Sequence, residues 1–443
     1  MPMNPGLVLA WSLMSGADAA DPALLCHAGA YRLEDGTQID VVPGDPGKLR
    51  WRMFDGRSGL LTGKPDGEWT STLGWTGRPD GIVVRFGACA DSRMAFGARA
   101  GRKLAFDILE TKFEGAGETL RGRLVLPQGA EAVPVAVLVH GSESYSAVES
   151  NHRQYLLPAH GIGAFVYDKR GTGRSTGKYS QDFHLLAADA SAALGEARRL
   201  AAKRARSVGF DGGSQAGWIA PLAAVNGGAD FVAIGFGLAE GPLAEDREQV
   251  MRDLAAAGHG PEVLAKAREV TDATGAIMAS GFQRGFDELD AARAKYAKEP
   301  WWAAMRGEFT GELAAQTGAA LRAAGTTDGS GTTWNYDPMP ALRKLEVPLL
   351  WVLAGEDNEA PIAETRARLS ALARQGKPIT LAVFPRTDHG IVEFETDTKG
   401  ARKATRYADG YFRMLTDWLR TQRLDGPYGG AKILFPPQRA RSD

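Results

Sequence analysis

The sequence predicts an α/β protein, a mostly parallel sheet covered by helices with a small β-rich domain ahead of it, and three observations carry that expectation. From about residue 101 onward, short apolar runs alternate with longer helical stretches, as in strands joined by crossover helices. Most of these runs are bounded by glycine or proline and lack polar alternation, which suits strands buried on both faces. Ahead of residue 101 the texture differs. Asp-Gly pairs recur at Asp35-Gly36, Asp55-Gly56, Asp66-Gly67 and Asp80-Gly81 between short alternating runs, and such pairs fit tight hairpin turns that need positive φ.

At 443 residues the chain exceeds what one core ordinarily serves, so more than one unit is expected. Residues 1–22 read as a tail or signal-like segment, 23–100 as a β-rich accessory domain, and 101–240 with 344–443 as the catalytic domain. The intervening stretch, 241–343, is too long for a loop and holds alanine-rich amphipathic patterns at 247–257 and 261–273, so it reads as a helical lid inserted between two sheet strands. The sheet strands themselves are expected at 135–139, 162–167, 207–210, 231–236, 349–354 and 379–384. Runs at 49–54 and 82–86 are the strand candidates of the accessory domain. Its Trp69 and Trp75 suit either a ligand surface or packing, and packing is the commoner use of such residues.

Hydrophobic residues make up 44% and charged residues 24% of the chain, the balance of an ordinary globular protein. The 52 basic and 53 acidic side chains nearly cancel, which removes any global field for nucleic acid or an anionic membrane surface and favours a small-molecule substrate. No apolar run approaches the ~20 residues that span a bilayer. The segment 7–14, followed by Ala17-Asp18-Ala19, has the apolar core and small-residue cleavage site of a secretory signal, though without the preceding basic residues. A periplasmic or secreted location is therefore expected, with the cytoplasm as the alternative. Cys26 and Cys89 are the two cysteines; they either pair in an oxidising compartment, for about 4 kcal/mol, or serve as small buried apolar side chains. No CxxC pair or HExxH helix occurs, so no metal site is expected.

The strongest local signal runs from Val208 to Ala220: an apolar strand enters the cluster Asp211-Gly212-Gly213-Ser214-Gln215-Ala216-Gly217 and a helix follows. A sharp strand-to-helix turn of this kind holds a serine exposed and strained, and small neighbours permit the close backbone approach. The helix N-terminus also offers the Gln215 N–H to a developing oxyanion. Here the sequence resembles the α/β-hydrolase superfamily, whose elbow is usually G-x-S-x-G; Gly212 fits the first position, while Ala216 takes the last and Gly217 follows.

Three further segments stand in the order that this resemblance requires. A buried strand ends in His140-Gly141-Ser142, which in relatives supplies the second oxyanion donor and maps it to the Ser142 N–H; His140 itself, upstream at a strand end, suits a structural role. Asp168-Lys169-Arg170-Gly171-Thr172-Gly173-Arg174-Ser175 is similar to the D-x-R-G-x-G-x-S loop of bacterial esterases and serine-aminopeptidase-like hydrolases, in which Asp168 and Arg170 buttress the loop. Its glycines fail the spacing of a dinucleotide or phosphate loop. Finally, Gly355-Glu356-Asp357 precedes Pro361 by the interval seen in relatives, which favours Asp357 over Glu356 as the acid. Of the seven histidines, His389 alone follows Asp357 and so satisfies the order serine, acid, histidine.

The resemblance thus implies a serine carboxylesterase working through Ser214, Asp357 and His389, with Ser142 and Gln215 as oxyanion donors and without metal or organic cofactor. A hydroxyl is a poor nucleophile near neutral pH, so the imidazole must take its proton and the acid must orient the imidazole. Trp301, Trp302, Trp334 and Tyr336 are candidates for a substrate pocket, or equally for the core of the lid. A peptidase or amidase of the same fold is the alternative, with Glu143 available to hold a substrate amine. A non-catalytic ligand-binding protein is a weaker possibility, and dehalogenase chemistry is disfavoured because serine stands where a carboxylate nucleophile is needed.

Overall fold

The computed structural model describes residues 22–325, 329–398 and 400–435; the signal-like segment lies almost wholly outside them. Eight antiparallel strands from Gly29–Leu33 to Arg99–Lys103 close into a barrel, the first strand pairing with the last through Tyr31 and Lys103. Alternation puts Tyr31, Ile39, Leu49, Trp51, Leu61 and Val84 into one core, as the period-2 geometry of strands requires. Trp69 packs against this core, whereas Trp75 is 39% exposed. The Cys26–Cys89 disulfide is formed and closes 63 residues of chain.

Three of the four Asp-Gly pairs sit in turns between strands, but the expectation for Asp80-Gly81 is corrected. This pair lies within the strand Pro79–Phe86, and the chain reverses at residues 74–77, where Thr76 N–H donates to the Leu73 carbonyl. Gly81 has φ 78° beside a register shift between Thr70 and Thr72 on the facing strand, so the positive φ serves a bulge. Asp80 meanwhile accepts from Ser71 Oγ, which accepts from Trp51 Nε1.

The second body is a nine-stranded sheet. Its order is Lys432–Phe435, Ile379–Phe384, Leu349–Ala354, Val232–Gly235, Ala205–Gly213, Val133–Val139, Gly163–Tyr167, Thr119–Pro127 and Phe106–Glu114. The strands from Ile379–Phe384 to Gly163–Tyr167 are parallel, and antiparallel strands flank them on both sides. Helices Phe183–Ala201, Ala216–Gly227 and Ala363–Arg374 cover one face, while Arg153–Ala159 and Tyr411–Thr421 cover the other. The central strands are therefore buried on both sides, which explains their unbroken apolar runs.

Between Val232–Gly235 and Leu349–Ala354 the chain leaves the sheet and, among the described residues, forms six α-helices from Pro242–Ala256 to Met339–Lys344 and a short 3-10 helix at Trp302–Ala304. This insertion has a core of its own, built on Val250, Leu254, Val270, Ile277, Leu289 and Trp301. After Ile379–Phe384 a hairpin of Val392–Thr396 and Arg402–Tyr407 reaches across to the barrel. There Trp75 N–H donates to the Ala404 carbonyl and Tyr407 N–H to the Gly56 carbonyl. A Cβ on Gly56 would fall 2.3 Å from the Tyr407 carbonyl oxygen and one on Gly74 would fall 2.4 Å from that of Thr405, so both glycines allow the barrel to dock.

Because the disulfide closes a loop of 63 residues, its removal widens the unfolded ensemble. The double variant Cys26→Ser, Cys89→Ser is expected to lose about 4 kcal/mol of unfolding free energy in urea titration of the barrel transition. No loss would show that the loop is already constrained when unfolded.

Candidate active site

The central strand Ala205–Gly213 delivers Ser214 to the sheet edge and the helix Ala216–Gly227 begins two residues later. Ser214 adopts φ 55°, a left-handed conformation that costs a non-glycine residue about 1–3 kcal/mol. Its neighbours show how the turn is accommodated. A Cβ on Gly212 would meet Ala216 Cβ at 2.4 Å, and one on Gly213 would meet the Phe236 ring at 2.2 Å. The Ser214 N–H donates to the Gly235 carbonyl at 3.1 Å, which ties the turn to the adjacent strand.

Asp357 follows the strand Leu349–Ala354 and is buried. Its Oδ1 accepts from the backbone N–H groups of Glu359 and Ala360 at 3.0 and 2.7 Å. The carboxylate also faces His389 Nδ1, at 3.0 Å from Oδ2 and 3.2 Å from Oδ1. On the other side of the ring, Nε2 lies 3.6 Å from a Glu359 carboxylate oxygen. The Phe236 ring packs edge-on against the imidazole at 4.8 Å. Ser214 and His389 line one cavity of about 360 Å³. Among the described residues they are not hydrogen-bonded to each other.

Burial alone would lower the His389 pKa. The charge and hydrogen bond of Asp357, together with the charges of Glu359 and Asp388, outweigh it and raise the value to about 9. A folded value above the reference of 6.5 means that the protonated imidazole stabilises the fold below pH 6.5. That contribution is lost as pH rises through about 9.

Ser142 lines the same cavity, one residue after the His140-Gly141 turn. His140 Nε2 is 2.6 Å from the Tyr167 carbonyl oxygen and the ring is buried with its pKa lowered, first by burial and then by Lys169, so it is fixed as a strut. Lys169 Nζ donates to the Gly141 carbonyl at 2.8 Å and the Tyr179 hydroxyl donates to that of Ser142. These two contacts hold the loop from behind. The Gln215 N–H stands just ahead of the helix first turn; its side chain is buried and donates to Gln181 Oε1. Neither the Ser142 nor the Gln215 N–H is used in a hydrogen bond among the described residues.

The loop after Tyr167 is built around a buried carboxylate. Asp168 Oδ1 accepts from Ser146 Oγ and the Val148 N–H, and Oδ2 from the Arg174 N–H, while Arg170 makes a paired contact with Asp189 at 2.7 and 2.8 Å. Gly173 has φ 52° and a Cβ there would fall 2.2 Å from Asp168 Oδ2. The motif is thus a scaffold for the Ser142 loop.

Of the two readings of Trp301, Trp302, Trp334 and Tyr336, pocket or core, the packing of the side chains matches the core, and none of the four lines the cavity of Ser214. The three tryptophans are buried in the insertion's own core, and Tyr336 packs with the sheet and donates its hydroxyl to the Trp218 carbonyl. Large aromatics serve a core as well as a pocket, and nothing in their local pattern separates the two. The insertion instead clamps the acid loop: Arg252 donates to the carbonyls of Asp357 and Asn358 at 3.0 and 2.7 Å, and Gln249 donates to that of Glu359. The cavity wall includes Arg52 of the barrel and Tyr407 of the hairpin, together with Tyr145, Glu143 and Glu359. Of these only Glu143 was legible as a site residue.

A strained serine after a central parallel strand, with an acid and a histidine at the ends of the next strands, defines the α/β-hydrolase fold, and this chain has that fold with an eight-stranded barrel at its N-terminal side. The model of the prolyl oligopeptidase family matches residues 320–415, the stretch that carries Asp357 and His389. No curated protein matches the chain. Among solved structures it is similar to the acylaminoacyl peptidase of Pyrococcus horikoshii, with 14% identity and TM-score 0.42 over 86% of this chain and 55% of that one. The chain thus spans about half the length of that peptidase. It is also similar to Est1E of Butyrivibrio proteoclasticus with ferulic acid bound, with 17% identity and TM-score 0.39 over 70% of this chain and 96% of that one. An esterase of Pyrococcus furiosus shares 12% identity at TM-score 0.40, over 64% and 84% of the two chains.

With the His389 imidazole raised to about 9, any hydrolysis for which it serves as base is expected to show a kcat/KM that rises with pH toward a midpoint near 9. In Glu359→Gln one of the charges that raises the imidazole pKa is gone, and the midpoint should move to lower pH. A profile that is unchanged in this variant would show that the carboxylate does not act on the ring.

Proposed function

We propose that the protein is a serine hydrolase that cleaves carboxylic esters through Ser214, His389 and Asp357. The observation that carries this reading is the buried Asp357–His389 pair at 3.0 Å, whose imidazole shares a cavity with a serine held at φ 55°. With Nδ1 facing Asp357, Nε2 is the nitrogen left to receive the hydroxyl proton. Such contacts tighten when substrate enters and need not be closed beforehand.

In the proposed cycle Ser214 Oγ attacks the ester carbonyl while His389 Nε2 takes its proton. The oxyanion is held by the N–H groups of Ser142 and Gln215, each worth on the order of 3 kcal/mol. His389 then returns the proton to the departing alcohol, leaving an acyl-serine that water cleaves by the same steps in reverse roles. Asp357 keeps the imidazole in the required tautomer and stabilises its charged form.

A second reading, amide or peptide hydrolysis, is favoured by the family match over residues 320–415 and by two carboxylates, Glu143 and Glu359, on the cavity wall. Matched ester and amide substrates separate the two. For location we propose an oxidising compartment such as the periplasm, which the Cys26–Cys89 bond favours.

Wild type is expected to hydrolyse short 4-nitrophenyl esters and to be labelled by a fluorophosphonate. Ser214→Ala should abolish both, and Asp357→Asn should lower turnover by about 10⁴. Retention of labelling in Ser214→Ala would remove Ser214 from the mechanism.

A further inference from the structure

We propose that Arg52, supplied by the N-terminal barrel, is a specificity-determining residue that receives a carboxylate carried by the substrate, so that the preferred substrates are esters of acids bearing a second, free carboxylate. This rests on the hydrolytic reading of Ser214 and adds the substrate class to it.

Arg52 is only 8% exposed, yet it lines the same cavity as Ser214 and His389. A buried guanidinium ordinarily uses its planar fork in paired hydrogen bonds. Here the single hydrogen bond among the described residues runs from Nε to the Tyr407 hydroxyl, at 3.4 Å. Nη1 stands 3.5 Å from Asp40 Oδ1, and neither atom has a hydrogen-bond partner. Two more buried atoms nearby are in the same state. His152 Nδ1, 3.5 Å from Asp40 Oδ2, has no partner, and neither has Asp211 Oδ2, although Asp211 Oδ1 is bound by Arg153 at 2.6 Å. Arg52, His152, Arg153 and Asp211 all line the cavity. These four atoms are enclosed, with Arg52 Nη1 and His152 Nδ1 each facing the Asp40 carboxylate, so they hold the guanidinium in place; Arg52 Nη2, which makes no hydrogen bond among the described residues, is the donor left for a polar group that enters the cavity.

The chemistry of the corner selects that group. Arg153 is already committed to Asp211 and, through Nη2, to the Tyr411 hydroxyl at 2.9 Å. Burial and the Arg52 charge push His152 down to about 4, so it is neutral near pH 7. Arg52 is then the cation with free donors, and a planar monoanion matches its fork. A dianion such as a phosphate monoester would meet the neighbouring carboxylates of Asp40 and Asp211. Of the two other carboxylates on the wall, Glu143 follows Ser142 in the chain and Glu359 stands 3.6 Å from His389 Nε2, so both sit on the loops that serve the chemistry.

The test compares 4-nitrophenyl esters of glutaric acid, which keeps a free carboxylate, and of pentanoic acid, which has none, on the full chain. Wild type is expected to favour the glutarate ester in kcat/KM, and Arg52→Met to reduce that preference by about 10- to 100-fold, with Arg52→Lys retaining part of it. Equal turnover of the two esters by wild type, or a preference unchanged in Arg52→Met, overturns the proposal; a purely structural arginine would lower both esters together. Binding of monomethyl glutarate to Ser214→Ala, measured by calorimetry, gives an answer that needs no turnover. Binding that weakens in Ser214→Ala, Arg52→Lys supports the site even if Arg52→Met does not fold, and no binding to Ser214→Ala overturns it. Failure of wild type to hydrolyse either ester or to take up a fluorophosphonate sinks the hydrolytic reading instead, and the calorimetry then decides the carboxylate site by itself.

Discussion

The left-handed backbone at Ser214 is the constraint around which the rest of the molecule is arranged. A serine at φ 55° between a strand and a helix is uphill by itself, and it persists only where the surroundings leave no alternative. Those surroundings are specific. The strand is pinned on both sides by parallel neighbours, the Ser214 N–H is tied to Gly235, and Phe236 fills the space that a side chain at 213 would need. Phe236 also packs against His389. The ring that closes the turn from one side thus helps to set the imidazole on the other, and strain at Ser214 is linked to placement of His389.

Placement of His389 continues outward into the barrel. His389 is followed directly by the hairpin of Val392–Thr396 and Arg402–Tyr407, and this hairpin bonds to Gly56 and Trp75 of the barrel. Arg402 reaches back to Asp388 at 3.2 Å, while Asp388 accepts from the N–H groups of Asn358 and His389. The insertion grips the same region from another direction through Arg252 and Gln249. Barrel, hairpin and insertion are therefore three supports for one loop pair, which gives the accessory units a structural part in the site beyond any contact with substrate.

How much of this was legible in the sequence follows from the range of the forces involved. The elbow, the Asp168 loop and the strand-end positions of Asp357 and His389 are local: a short apolar strand, small residues at fixed offsets and a chain order suffice to place them. The roles of Gly212, Gly213 and Gly173 are of the same kind, since each glycine answers to a contact with a fixed neighbour. Arg52 and Tyr407 were not legible because their meeting depends on how a barrel docks on a hairpin 355 positions further along. Arg52 in particular sits in an alternating strand where arginine reads as a solvated face. The aromatic residues stayed open for the opposite reason. Trp301, Trp302 and Trp334 carry no local mark that distinguishes packing from recognition, and the insertion needed them for a core of its own. Asp80-Gly81 failed because the same positive φ serves a turn or a bulge, and barrel closure chose the bulge.

The distribution of buried charge makes one more point. Net charge is −1 over the whole chain, yet Asp40, Arg52, Asp211 and Lys169 are all buried around the cavity or the loop behind it. Burying ion pairs is seldom a source of stability, because desolvation offsets most of the attraction and apolar replacements of similar volume are often neutral or better. The Arg170–Asp189 pair at least completes its hydrogen bonds and braces a loop. Arg52 and Asp40 do not even complete theirs. A fold shaped for stability alone would have filled that corner with leucine or phenylalanine, as it did in the three apolar clusters of the sheet and insertion. An arginine kept where the barrel meets the cavity of Ser214, with its fork only partly used, is accounted for by the proposed polar group that enters.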